Sequence, residues 1–164
     1  MGRDKALVEV DGVAMVVRVA NALRAAGCQP VFAVGGDRAA LEALGIEFVT
    51  DAHPGEGPVG GVITALAACG TAVVVVACDV PYLTAGTVRA LLSGGGAAHA
   101  TVAVTDRVQP LCALWSRRAL GQLRESFAGG ERRLLAVLDQ LETLQIPANP
   151  QDLANVNAPG DLPQ

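Results

Sequence analysis

Four consecutive valines, Val73-Val74-Val75-Val76, run through Ala77 straight into Cys78-Asp79-Val80-Pro81. A β-branched run without polar alternation has no face suited to water. Val73 to Ala77 is therefore predicted to be a strand covered on both faces, at the centre of a parallel sheet. Such a sheet needs helices on both sides. Val13 to Ala26 supplies one, with Val16, Val19, Ala20 and Leu23 at helical spacing, Arg18, Asn21 and Arg24 on other faces, and Gly27 as its stop. Before it, Ala6 to Val10 alternates weakly and ends at Asp11-Gly12, a tight-turn pair. After it, Pro30 to Val34 is a short apolar run closed by Gly35-Gly36. Asp37 then caps a helix reaching Leu44, stopped by Gly45.

The alternation continues. Ile46 to Val49 reads as a strand, Thr50 to Pro58 as a turn-rich loop, and about Gly60 to Cys69 as a helix. Beyond Asp79, Thr84 caps a helix to Leu92, and Ser93-Gly94-Gly95-Gly96 reads as a flexible surface loop. Strands Ala100 to Val104 and Leu111 to Trp115 bracket Thr105 to Pro110. Helices at about Arg117 to Ser126 and Glu131 to Leu141, a strand at Thr143 to Ile146 and an Asn-rich segment close the chain. No internal repeat is visible. Strand and helix in alternation predict a Rossmann-like α/β fold, an open, mostly parallel sheet with helices on both faces and right-handed crossovers.

Composition narrows the function. The 164 residues make one domain, residues 1–164, and 51% hydrophobic against 17% charged excludes disorder. Aromatics are only 3% and the net charge is −4, with a pI near 5.1, so neither stacking rings nor a basic surface is available for nucleic acid. A small-molecule partner is expected. Gly57 to Cys78 carries no charge, but Gly57, Pro58, Gly60, Gly61 and Gly70 punctuate it, which predicts a helix followed by a buried strand and no membrane span. Cysteines at 28, 69, 78 and 112 form no Cys-x-x-Cys pair and have no His at ligand spacing. They read as reduced core thiols of a cytoplasmic protein, the opening residues having no leader pattern. His53 and His99 are expected at the surface, and no Ser, Cys or His constellation for nucleophilic catalysis can be assembled.

In open α/β sheets ligands bind at the carboxyl ends of the strands. Those positions are Gly35-Gly36, Thr50-Asp51, Cys78-Asp79 and Gln109-Pro110. Asp79 either holds a divalent metal, as one or two carboxylates do for Mg²⁺, or caps the turn ahead of Pro81. The segment Gly55-Glu56-Gly57-Pro58-Val59-Gly60-Gly61 opens a helix, and serves an anion or base edge or simply turns the chain. Neither a Gly-x-Gly-x-x-Gly fingerprint nor a P-loop is present. Eleven of the twelve basic residues are Arg; the single lysine is Lys5.

In order along the chain, these pieces resemble the molybdenum cofactor nucleotidyltransferases, whose fold is the nucleotide-diphospho-sugar transferase type. Met1-Gly2-Arg3-Asp4-Lys5 is similar to the second half of that family's loop Leu-Ala-Gly-Gly-x-Ser-x-Arg-Met-Gly-x-Asp-Lys. Gly57-Pro58-Val59-Gly60-Gly61 is similar to its Gly-Pro-Leu-Ala-Gly, and Cys78-Asp79-Val80-Pro81-Tyr82-Leu83 to its Cys-Asp-x-Pro-x-Leu. Gln109-Pro110-Leu111-Cys112-Ala113-Leu114 resembles its His-Pro-x-x-Ala-Leu, Gly130-Glu131-Arg132-Arg133 its Gly-Glu-Arg-Arg, and Asn155-Val156-Asn157-Ala158-Pro159 its Asn-x-Asn-Thr-Pro.

The glycine segment resembles the guanylyl branch rather than the cytidylyl one. The resemblance implies transfer of GMP from GTP to molybdopterin with loss of pyrophosphate. It implies Lys5 at the phosphates, Asp79 on Mg²⁺, Asp51 at the nucleotide, and Asn155 or Asn157 on the metal or cofactor side. Transient contact with molybdoenzymes or other cofactor-biosynthesis proteins is implied as well. Gly35 stands where the guanylyl enzymes often have Asn, and Gln109 replaces the usual His. The family's first strand and the Leu-Ala-Gly-Gly half of its loop precede the match, so Met1 is read as an internal methionine, and a vacant central strand position with an exposed edge is expected. Two other readings stay open: a non-catalytic nucleotide- or cofactor-binding protein without the phosphate loop, and a transferase with another acceptor, such as a sugar phosphate, or with CTP as donor.

Overall fold

The computed structural model describes residues 5–156, so Met1 to Asp4 and Asn157 lie outside the described residues. Its elements follow the predicted order, with shifted bounds. Lys5–Leu7 is a 3-10 turn rather than a strand, and Glu9–Val10 (β1) pairs antiparallel with Val13–Ala14 (β2). The turn between them takes Asp11 and Gly12 to φ of 53° and 75°, the geometry of a two-residue hairpin. That hairpin delays the first helix, Met15–Ala25 (α1), by two residues from its predicted start. Phe32–Val34 (β3), Arg38–Ala43 (α2) and Glu47–Val49 (β4) form a strand-helix-strand unit in which β3 and β4 pair in parallel. The expected cap is present: the Asp37 side chain accepts a hydrogen bond from Ala40 N at 3.1 Å.

Pro58–Cys69 (α3) leads to Val73–Val76 (β5), and Ala85–Ser93 (α4) follows, capped by Thr84, whose side chain accepts from Thr87 N at 3.2 Å. Ala100–Val104 (β6), Val108–Trp115 (β7), Leu120–Ala128 (α5), Leu134–Leu138 (α6) and Thr143–Pro147 (β8) complete the fold. The four-stranded sheet has the order β5-β7-β6-β8, with β6 and β8 parallel and β7 antiparallel to both its neighbours. Val108 to Pro110, expected in a loop, belong to β7, because Thr105 N donates to Arg107 O and closes a tight hairpin earlier in the chain.

Side chains alternate cleanly across this sheet. Val73, Val75, Ala113 and Trp115 pack with α3, α5 and α6, whereas Val74, Val76, Cys112 and Leu114 pack toward α1 and α4. This two-sided burial is why the valine run needs no polar partner. The run is only half-buried, however, since among the described residues β5 pairs with β7 alone and β3 with β4 alone. Between β3 and β5 lies an apolar slot of about 420 Å³, walled by both strands and by α1 and α3.

Three expectations are corrected. The Gly94 and Gly95 stretch is packed rather than free: a Cβ on Gly94 would lie 2.7 Å from Thr101 Cγ2, so α4 ends against β6. His53 and His99 are half-buried, not surface residues. His53 stacks on Phe127 at 4.5 Å between ring centroids, and Nδ1 of His99 is enclosed. All four cysteines are free, but Cys28, Cys69 and Cys78 line the slot, and only Cys112 is buried.

Candidate active site

The carboxyl ends of β3 and β5 open into a cleft of about 310 Å³ lined by Lys5, Ala6, Gly35, Gly36, Cys78 and Asp79, among others. The strands deliver these groups by ending there. Ala77 N donates to Leu111 O at 2.9 Å, after which the chain leaves the sheet, and the buried Val80 and Pro81 anchor the turn that holds Asp79. Oδ1 of Asp79 is enclosed and has no hydrogen-bond partner among the described residues. Leaving a carboxylate oxygen so placed costs upwards of roughly 1–3 kcal/mol unless a cation or donor meets it. No group of three or more His, Cys, Asp or Glu that could hold a metal occurs among the described residues; a cation held through Asp79 would take further ligands from substrate and water.

The other predicted residues divide. Asn155 is brought to the site: Val156 N donates to the backbone oxygen of Asp79 at 2.9 Å, and Val156 is buried with Val10 and Met15. Asp152 fastens that segment, its Oδ2 accepting from Thr84 Oγ1 at 2.6 Å and Thr87 Oγ1 at 2.5 Å. Asp51 stands at the end of β4, its Cβ 3.5 Å from where a Cβ on Gly35 would be, beside the cleft but not lining it. One of its oxygens is committed to the loop, accepting from His53 N at 2.9 Å and Thr64 Oγ1 at 3.1 Å. Gln109 lies in β7, at the edge where β5 ends because β7 is antiparallel, and its Nε2 donates to Thr105 Oγ1 at 2.9 Å. Burial, and secondarily the Asp152 carboxylate, push the Cys112 thiol up to about 12, which removes it as a nucleophile.

A MobA-like NTP transferase domain model matches residues 1–144. The chain belongs to the MobA-like NTP transferase family. It is 32% identical to a probable molybdenum cofactor guanylyltransferase of Opitutus terrae, over 98% of this chain and 86% of that one. It is also 32% identical to a molybdenum cofactor guanylyltransferase of Pseudomonas putida, over 98% and 87%. Its fold matches the crystal structure of molybdopterin-guanine dinucleotide biosynthesis protein A from Archaeoglobus fulgidus with a TM-score of 0.77 and 26% identity, covering 98% of this chain and 87% of that one. The MobA-like fold is thus a nucleotidyltransferase fold, and membership places the chain among nucleotidyltransferase enzymes. No helix of the described residues is long and apolar enough to cross a membrane.

This MobA-like domain holds its glycine loop by contacts that sequence reading missed. Arg132 Nη2 lies 2.6 Å from Glu56 Oε2, Nη1 donates to Phe127 O at 2.7 Å, and the guanidinium stacks 3.9 Å from the Phe127 ring centroid. Thr64 is the other tie, and its signal was legible, since it is the lone polar side chain between Val59 and Ala68. Beside Arg132, the Arg133 side chain and the backbone amides of Arg133 and Arg132 hold the Glu131 carboxyl down at about 2. Its share of the corner is complete above the ordinary glutamate range and disappears only as pH falls toward 2. Arg132→Ala is expected to cost about 1–2 kcal/mol in urea unfolding, from one partly exposed ion pair and one ring contact. Arg132→Lys should recover less than half, having no planar fork.

Proposed function

We propose that this MobA-like domain transfers GMP from GTP to molybdopterin, releasing pyrophosphate, with Mg²⁺ as cofactor and in the cytoplasm. The observation that carries the reading is the shared cleft of Lys5 and Asp79, with Oδ1 of Asp79 enclosed and without a hydrogen-bond partner among the described residues, which supports a cation there. Bound there, Mg²⁺ would offset charge on the α-phosphate and on the departing pyrophosphate. An oxygen of the molybdopterin phosphate forms the new bond to the α-phosphorus as the bond to pyrophosphate breaks. Lys5 neutralises the phosphates as a point charge, Asp51 and the amides opening α3 contact the nucleotide, and Asn155 or Asn157 serves the metal or cofactor side. The names of the relatives from Opitutus terrae and Pseudomonas putida support guanylyl transfer.

The test is pyrophosphate release with molybdopterin as acceptor, comparing GTP with CTP at equal concentration. Release dependent on both GTP and acceptor is expected. Equal rates with CTP would sink the guanine assignment, and tight GTP binding without release would favour a binding protein. Lys5→Arg is expected to lower kcat/KM by about 10–100-fold, because a planar fork cannot replace a compact ammonium in a tight loop. Wild-type rates in that variant would remove Lys5 from the phosphates.

A further inference from the structure

By spacing, Arg18 shares the polar faces of α1 with Asn21 and Arg24. Its guanidinium is nonetheless taken up by backbone on two sides. Nε donates to Pro81 O at 3.0 Å, and Nη1 to Val10 O at 3.1 Å. Val10 stands five residues after Lys5, and Pro81 two after Asp79, so one side chain joins the two stretches that supply the cleft's ammonium and carboxylate. Each stretch is fastened within itself. Val8 N donates to Lys5 O at 3.1 Å and Met15 N to Val8 O at 2.9 Å, while Leu83 N donates to Val80 O at 3.1 Å.

Between the stretches, Tyr82 packs with Val10, Met15 and Val156, and the guanidinium lies 5.7 Å from the Tyr82 ring centroid. Apolar packing is non-directional, whereas a planar fork with donors on two nitrogens fixes both distance and angle. Nη1 also meets Asp11 Oδ2 at 3.3 Å, but that carboxylate is 73% exposed, and a pair so placed contributes little. The carbonyls belong to buried residues and need a donor. Arg18 itself does not line the cleft.

We propose that Arg18 is a positioning residue, a clasp that fixes the Lys5 segment against the Asp79 turn and so sets the separation of the two groups. Its effect on turnover rests on the reading of Lys5 and Asp79 as the pair that meets the nucleotide phosphates. Two groups that must meet one triphosphate tolerate little misplacement; an error of about 1 Å costs on the order of 100-fold.

The test compares the wild-type chain with Arg18→Met, which keeps the packed stem and removes the donors, with Arg18→Lys and with Asp11→Asn. In Arg18→Met, amide exchange should quicken about ten-fold or more at both Val8 and Leu83, and kcat for pyrophosphate release should fall about 10–100-fold. Arg18→Lys should recover little, because one ammonium does not replace a fork spanning two carbonyls. Asp11→Asn should match the wild type in both measurements. In an Asp79→Asn background, Arg18→Met should cost less than about three-fold, since the clasp then has no carboxylate to place. Losses that simply multiply would mean that Arg18 only supports the fold, and would overturn the proposal. So would faster exchange at one segment alone, wild-type kcat in Arg18→Met, or an Asp11→Asn variant as impaired as Arg18→Met. If Arg18→Met does not fold, Arg18→Lys carries the same comparisons. A wild-type chain that releases no pyrophosphate refutes the transfer reading instead. Exchange then decides the clasp by itself: quickening at both segments supports it, and anything less refutes it.

Discussion

Asp79→Asn is expected to lower turnover by about 100- to 1,000-fold, the usual cost of removing one preorganised electrostatic group at a charge-transferring centre. The thermal midpoint should hardly move. The fold uses the backbone of Asp79, whose carbonyl accepts from Val156 N, and the substitution leaves that bond in place. The side chain, by contrast, contributes an enclosed oxygen without a partner among the described residues, so neutralising it removes a desolvation cost instead of a contact. Steady-state rates with melting curves separate the two effects. Loss of activity with a stable fold places the cation at Asp79, and parallel loss of both would make Asp79 a turn residue. Raising Mg²⁺ should restore little of the variant's rate.

Gly60→Val is expected to cost about 2–3 kcal/mol and, at roughly 2–4 °C per kcal/mol for a chain of this size, to lower the Tm by about 4–12 °C. A Cβ at Gly60 would sit 2.7 Å from His53 Cβ and 3.4 Å from Phe127 Cε2. The loop bearing His53 is tied on its far side by Asp51 to Thr64 and by Glu56 to Arg132, so it cannot simply move off. Displacing it also moves the start of α3. Nucleotide affinity should therefore fall along with stability, as a rise in KM of about ten-fold or more. Gly61→Ala is the control, since a Cβ there meets nothing within 4 Å and should be tolerated. A stable Gly60→Val variant with an unchanged KM would show that the loop is not part of the binding site.

Much of the site was legible in single segments. Cys78-Asp79 at the exit of the valine strand and Lys5 as the sole lysine both stood out as candidates, and the structure brings Lys5 and Asp79 into one cleft. The Asp37 and Thr84 caps were legible for the same reason, since a cap and its acceptor lie three residues apart. The second role of Thr84, holding Asp152 across 68 residues, was not, and neither was the Arg132 to Glu56 pair across 76. Gln109 was expected in a loop because its strand's direction is not written in its apolar pattern. A run alternates in the same way whether it goes up or down the sheet.

What the amino-acid sequence determined by itself is whatever depends on neighbours within a turn or two: the valine strand, the capped helices, the tight turn at Asp11-Gly12 and the ordered motifs of the MobA-like family. What only the tertiary structure decided is which strand lies beside which: β7 antiparallel against β5, and β5 with its other edge facing the slot. The physical reason is that backbone geometry and local hydrogen bonds are set by adjacent residues. The partner of a strand edge or a buried carboxylate is chosen by packing the whole chain at once.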